Sequence, residues 1–133
     1  MNTKKIVAEQ VSRFDFDTTV EKLVAIAIEN EWSNPATHDL QQSLAKFGKS
    51  VKPVKIIEIC KPKYSGEMLE KNDERIISVM MPCRISVYLK DDGKTYISLI
   101  DGHALSVGLP QNIADVMIAA ADEIDELVKT VVD

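Results

Sequence analysis

Apolar and polar side chains alternate most regularly in the segment from Met80 to Ile100. After Pro82, every second position is apolar, which is the period that gives a β-strand one buried face; these positions are Cys83, Ile85, Val87 and Leu89. Asp91-Asp92-Gly93 supplies a tight turn, and the β-branched and aromatic residues of 95–100 are typical of a return strand. The segment therefore predicts a β-hairpin with Cys83 at its open end.

Three segments show the spacing of amphipathic helices, with local signals at their ends. Thr18 and Glu21 form a capping-box pattern before a run of apolar residues at helical spacing. Asp39 is placed to cap a short second helix, and Gly48 is placed to end it. Pro110 opens a final helix of about five turns, one face of which is apolar.

The remaining segments predict further strands and one more helix. The nearly continuous apolar run at 54–60 is typical of a central strand. Segment 62–69 is predicted to be a short helix, because its first residue is Pro62 and proline is favoured in the first turn of a helix. Segments 5–14 and 75–81 are also predicted to be strands. The glycine-containing segment 101–108 is predicted to be a connection.

The order of these elements predicts one α/β two-layer sandwich (α+β) domain over residues 1–133. A mainly antiparallel sheet of about four to five strands carries its helices on one face. The length of 133 residues and the hydrophobic content of 45% suffice for one core without disulfides.

Composition also restricts the partners that we expect. The formal net charge is -5 and the basic residues are scattered, so nucleic acid is not an expected partner. No apolar run reaches the roughly 20 residues of a membrane span, and the N-terminus does not resemble a signal peptide. We therefore expect a cytoplasmic protein whose cysteines are thiols.

Candidate chemistry rests on His38, Cys60, Cys83 and Arg84, because no nucleotide-binding, zinc-binding or hydrolase motif is present. Cys83 stands next to Arg84, whose charge could stabilise a thiolate, but Cys83 is also in phase with the buried face of its strand. Cys60 ends a strand before a helix start, where a thiol could be activated. Core packing is the favoured interpretation of both cysteines. His38 precedes a helix cap and could face a cleft as a ligand or acid-base group, or could merely fix the loop.

Several segments resemble the Domain of Unknown Function 302 family. They are HDL at 38–40, Gly48, ICKP at 59–62 and, above all, MPCRISVY at 81–88 followed by DGK at 92–94. The resemblance covers about 14–98, and the family's usual Cys-Asn-Pro-like segment reads Cys60-Lys61-Pro62 here. It implies a small two-layer α/β domain of bacterial or archaeal origin, a homodimer without an established activity.

Three hypotheses for function follow. The first is a ligand- or metal-binding module in which His38, Cys60 and Cys83 converge at one end of the sheet, with Arg84 as a further ligand-binding residue. Thiolate and imidazole would suit copper(I), zinc or haem iron, or a thiol could accept a redox modification. The second is a non-enzymatic homodimer with structural cysteines, and the third is a thiol-dependent enzyme.

Overall fold

A five-stranded antiparallel sheet forms the centre of the protein, for which a computed structural model describes residues 6–132. The strands are β1 (Val7–Val11), β2 (Thr37–Asp39), β3 (Val54–Ile59), β4 (Cys83–Leu89) and β5 (Thr95–Ile100). Their order across the sheet is β1-β5-β4-β3-β2, and every neighbouring pair is antiparallel. The predicted hairpin is confirmed as β4 and β5, and β4 is the central strand of the sheet.

Residues 6–132 also contain five α-helices and one 3-10 helix. They are α1 (Phe16–Glu29), α2 (Leu40–Ala45), α3 (Pro62–Leu69), the 3-10 helix Glu74–Met80, α4 (Gly102–Ser106) and α5 (Gln111–Lys129). Within residues 6–132, none of the helices combines the length and the apolar character needed to cross a membrane.

The core lies between one face of the sheet and the two long helices. The buried side chains of the sheet alternate along β3, β4 and β5, as the strand period requires; they are Ile57, Ile59, Ile85, Val87, Ile97 and Leu99. Their partners from α1 and α5 include Leu23, Ala27, Ile124, Leu127 and Val128. The predicted α/β sandwich is therefore confirmed. The sheet face turned away from α1 and α5 is called the outer face below.

Local capping signals position the helices, in one case not at the predicted residue. The carboxylate of Asp39 accepts a hydrogen bond from the amide of Gln42 at 2.9 Å, as predicted. At α1, however, the cap is Asp15, whose carboxylate accepts from the amide of Thr18 at 2.8 Å. Aspartate caps as well as threonine does, so the earlier residue starts the helix and Thr18 lies inside it.

The prediction of a strand at 75–81 is wrong, because this segment is mostly the 3-10 helix. β4 already pairs with β3 and β5, so the sheet has no free edge beside it for a further strand. Some apolar side chains of this segment are exposed to solvent, and others are buried in a small cluster against α3 and α5. Ile76 and Val79 are 79% and 85% exposed, whereas Ile77 packs with Met68 and Val116.

Other differences concern short elements and ends. Thr37 and His38, predicted as part of a connector, form the edge strand β2 together with the cap residue Asp39 by pairing with 55–57. The segment 101–108 contains α4, which Asp101 caps by accepting from the amide of Ala104 at 3.0 Å. β1 spans only Val7–Val11, and position 5, where it was predicted to begin, lies outside the described residues.

Candidate functional site

A cavity of about 330 Å³ lies at the end of the sheet where β3 and β5 end and β4 begins. The sheet forms one wall, and α3, the 3-10 helix, α4 and α5 form the others. Most of the lining is apolar and includes Ile59, Met68, Ile77, Leu99, Leu105, Val116, Met117 and Ile124. This cavity is the candidate functional site.

Both cysteines line this cavity, Cys83 at the start of β4 and Cys60 just after the end of β3. Cys83 is the first residue of β4 and pairs with Ile59, and Cys60 follows Ile59 in the chain. β3 ends at Ile59, and Cys60 makes a separate backbone bridge with Ser33. The Sγ atom of Cys60 lies 3.4 Å from the hydroxyl of Ser65 in α3. Two of the three residues that were hypothesised to converge, Cys60 and Cys83, therefore line the same cavity.

The two thiols also influence each other electrostatically. Both are half-buried, and Cys83 packs against the core. Burial raises the pKa of the Cys83 thiol, because the thiolate is poorly solvated there, and a negative charge on Cys60 raises it further. The raised pKa makes Cys83 a weak nucleophile near neutral pH.

A cationic group lies beside the thiols. The Nζ atom of Lys61 is 2.5 Å from a carboxylate oxygen of Glu123 in α5, and the Lys61 side chain is only 12% exposed. It also lies 5.5 Å from the centre of the Trp32 ring. Burial favours the neutral form of Glu123, but hydrogen bonds from Lys61 and Tyr64 outweigh this and lower its pKa. Of this pair, Lys61 lines the cavity and contributes a polar group to its wall.

Trp32 contributes an unsatisfied donor to the cavity region. Its side chain is 3% exposed and lines the cavity. Among the described residues, two buried side-chain atoms have no hydrogen-bond partner, the indole Nε1 of Trp32 and the Oε2 atom of Glu123. A buried N–H that lacks an acceptor costs about 1–3 kcal/mol, so such a group calls for a functional explanation. Sequence reasoning missed this residue, because its only signal was that it is the chain's single tryptophan.

His38, the third predicted ligand, is separated from the cysteines. It pairs with Ile56 across β2 and β3, and its ring contacts the carboxylate of Glu58 at 3.3 Å. Neighbouring residues of a strand point to opposite faces, so Glu58 is on the outer face and Ile59 is in the core. His38 therefore lies on the outer face and does not line the cavity. Within residues 6–132, no three His, Cys, Asp or Glu side chains form a group that could hold a metal ion.

Arg84 lies between the outer face of the sheet and the cavity. It pairs with Glu58 in the sheet register, and its guanidinium lies 3.5 Å from the Glu58 carboxylate. Its side chain is 61% exposed, yet the residue also contributes to the lining of the cavity. The predicted orientation of Arg84 away from Cys83 is confirmed by this register. Arg84 is thus at the edge of the site rather than between the thiols.

Comparison with known proteins gives a family and a fold. The family described as Domain of unknown function DUF302 matches residues 8–131. The chain belongs to the DUF302 family. Its fold is similar to the crystal structure of an uncharacterized conserved DUF302 protein from Bacillus stearothermophilus, with a TM-score of 0.83 and 16% sequence identity over 93% of this chain and 96% of that chain. No curated protein matches this DUF302 chain.

Proposed function

We propose that this DUF302 chain is a small-molecule-binding module whose ligand occupies the cavity beside Cys60 and Cys83. The observation that carries the proposal is the mostly apolar cavity of about 330 Å³, whose lining also includes both cysteines and Lys61. The apolar part of a ligand would pack against this wall, and the cysteines and Lys61 would supply the polar contacts. Ligand cavities in proteins share this combination of apolar surface and a few placed polar groups.

The size and charge of the cavity favour a small ligand. Its volume of about 330 Å³ is at the lower end of the range for ligand sites. Lys61 is paired with Glu123, and the two other charged residues of the lining, Arg84 and Asp125, have opposite signs, so the cavity has no strong net charge. The two thiols add soft, polarizable contacts. We expect a compact ligand that is mostly apolar.

Binding can be tested with a neutral fluorescent probe, N-phenyl-1-naphthylamine, and a variant that fills the cavity. Leu105 is half-buried on the cavity wall, so Leu105→Trp should occupy part of the space. Losing about 60 Å² of apolar contact at roughly 25 cal/mol per Å² weakens binding about tenfold. Val107→Trp is the matched control, because Val107 is 81% exposed and does not line the cavity.

A second readout locates the probe. Bound probe should slow the alkylation of Cys60 and Cys83 in the native chain, and the effect should be smaller in Leu105→Trp. If the probe does not bind, or binds both variants equally and leaves the thiols unprotected, the proposal fails.

The outer face favours a second function, association with another copy of the chain. Tyr88 and Tyr96 stack there with ring centres 6.1 Å apart, and Lys90 lies 3.0 Å from a carboxylate oxygen of Glu9. Tyrosines are enriched at protein interfaces, and a face with both signs of charge can complement its own two-fold copy. Light scattering should then give twice the chain mass of 14.8 kDa.

The control for association uses two exposed or half-exposed positions. Tyr88→Arg introduces a charge into the stacked pair and should shift the protein toward monomers. Glu29→Arg changes an exposed residue of α1 on the other side of the fold and should have no effect. A monomeric parent chain, or a Tyr88→Arg variant that remains dimeric, would refute this function.

A further inference from the structure

Sulfur is concentrated at the cavity to an unusual degree. Five methionines and two cysteines give the chain seven sulfur-bearing side chains. Six of them line the cavity: Cys60, Met68, Met80, Met81, Cys83 and Met117. The seventh, Met1, lies outside the described residues. These six residues come from α3, α5, the 3-10 helix and the ends of β3 and β4, so the clustering is produced by the fold.

We infer that the sulfur-lined part of this cavity binds a soft monovalent metal ion, Cu(I), through the thiolates of Cys60 and Cys83 with a methionine thioether as a further donor. This inference goes beyond the proposed function, because it assigns the sulfur-lined part of the same cavity to a metal ion and not to the mostly apolar ligand. Thiolate and thioether sulfurs select Cu(I) over harder ions.

The backbone supports a two-thiolate site. Cys83 lies opposite Ile59 in the register, and Cys60 is the next residue after Ile59, so adjacent strands bring both thiols to the same end of the sheet. The hydroxyl of Ser65, 3.4 Å from the Cys60 sulfur, can donate a hydrogen bond to a thiolate. Such outer contacts orient metal ligands and tune their affinity.

The side chains that line the cavity are better ligands for Cu(I) than for zinc. Structural zinc sites use four ligands drawn from Cys, His and carboxylates. The part of the chain from residue 6 to residue 132 has no group of three such side chains suited to a metal. Thioethers are poor zinc ligands but good Cu(I) ligands. The apolar lining would also limit the access of water and oxidants to the ion.

The charges near the thiols are compatible with such a site. Two thiolates and one Cu(I) ion carry a net charge of minus one. Lys61 and Arg84 follow Cys60 and Cys83 in the chain, and both line the cavity. Their positive charges are shared with Glu123 and Glu58, and the lining also contains one carboxylate, Asp125, so the charged groups of the wall do not form a separate anion site.

The test is an anaerobic titration of the reduced full chain with Cu(I), in competition with the chromophoric chelator bicinchoninate. We expect one tightly bound ion, a near-ultraviolet charge-transfer band from Cu(I)–thiolate bonds, and a change in the fluorescence of Trp32. Cys60→Ser and Cys83→Ser should each weaken binding by about tenfold or more and remove most of the band.

Two further variants make the result specific. His38→Asn should leave Cu(I) affinity unchanged, because His38 lies on the outer face. Met68→Leu combined with Met117→Leu conserves volume and should weaken Cu(I) binding while the chain stays folded by circular dichroism. These methionine variants keep the test valid if either cysteine variant does not fold.

The outcomes separate the metal inference from the proposed function. Failure of the chain to compete with the chelator, or equal affinity in the parent chain and both cysteine variants, overturns the metal inference. If N-phenyl-1-naphthylamine still binds in that case, the cavity remains a small-molecule site. If neither Cu(I) nor the probe binds, both the inference and the proposed function are overturned.

Discussion

Replacing Gly102 by alanine should destabilise the fold by forcing two helices apart. Gly102 is the first residue of α4, is buried and lines the cavity. A Cβ atom at this position would lie 2.5 Å from the Cβ of Ala121 and 3.4 Å from the carbonyl oxygen of Met117, both in α5. Non-bonded carbon atoms pack at about 3.5–4.0 Å, so α4 or α5 would have to move by roughly 1 Å.

The size of the effect follows from the cost of overpacking. Forcing one extra carbon atom into a close-packed contact costs about 1–3 kcal/mol of unfolding free energy. For a domain of this length, each kcal/mol lowers the melting temperature by roughly 3–5 °C. Gly102→Ala should therefore lower the melting temperature by about 4–12 °C in thermal denaturation followed by circular dichroism.

A double-mutant cycle isolates the contact between the two Cβ atoms. Ala121→Gly removes the opposing Cβ and should itself cost about 1 kcal/mol, because glycine is unfavourable inside a helix. In the Ala121→Gly background, Gly102→Ala should cost little further stability. The coupling free energy should therefore be about 1–3 kcal/mol and favourable to the double variant.

Gly66→Ala is the matched control, and it should have the opposite sign. The nearest atom to a Cβ at position 66 is 3.9 Å away, and this glycine lies inside α3. Alanine there should stabilise the chain by about 0.5–1 kcal/mol. Additive effects of the changes at 102 and 121, or a Gly102→Ala variant as stable as Gly66→Ala, would refute the packing explanation.

Two further predictions concern titration. In the metal-free chain, the alkylation rate of Cys83 should rise only at pH values above the ordinary thiol pKa, because burial and the charge of Cys60 raise the pKa of Cys83. Cys60→Ser should move the dependence of this rate on pH to lower pH. An unchanged dependence would contradict the electrostatic coupling between the two thiols. The ring of His103 lies 2.6 Å from the carboxylate of Asp122, whose hydrogen bond and charge raise the pKa of His103. The pair therefore stabilises the folded chain at pH below about 6.5, and this stabilisation is lost as the pH rises through the raised pKa. A ring-proton NMR titration should show the His103 pKa falling in Asp122→Asn, whereas the same pKa in both chains would count against the ion pair.

Part of the candidate site was predictable from short-range pattern. The alternation after Pro82 and the proline after Lys61 place Cys83 at a strand start and Cys60 at a strand end. Antiparallel pairing of two such strands brings these ends together. The position of His38 was not predictable, because its distance from the thiols depends on how β2 pairs with β3 and which face it then occupies.

The sequence by itself determined the elements whose signals are local. Helix caps such as Asp39, the turn at Gly93 and the period of two in β4 act within a few residues, so they specify helices, a hairpin and the core face of each strand. Tertiary structure alone decided the strand order, the 3-10 helix at Glu74–Met80 and the cavity. These features depend on contacts between distant segments, and the sulfur-lined wall exists only because α3, α5 and the ends of β3 and β4 meet there.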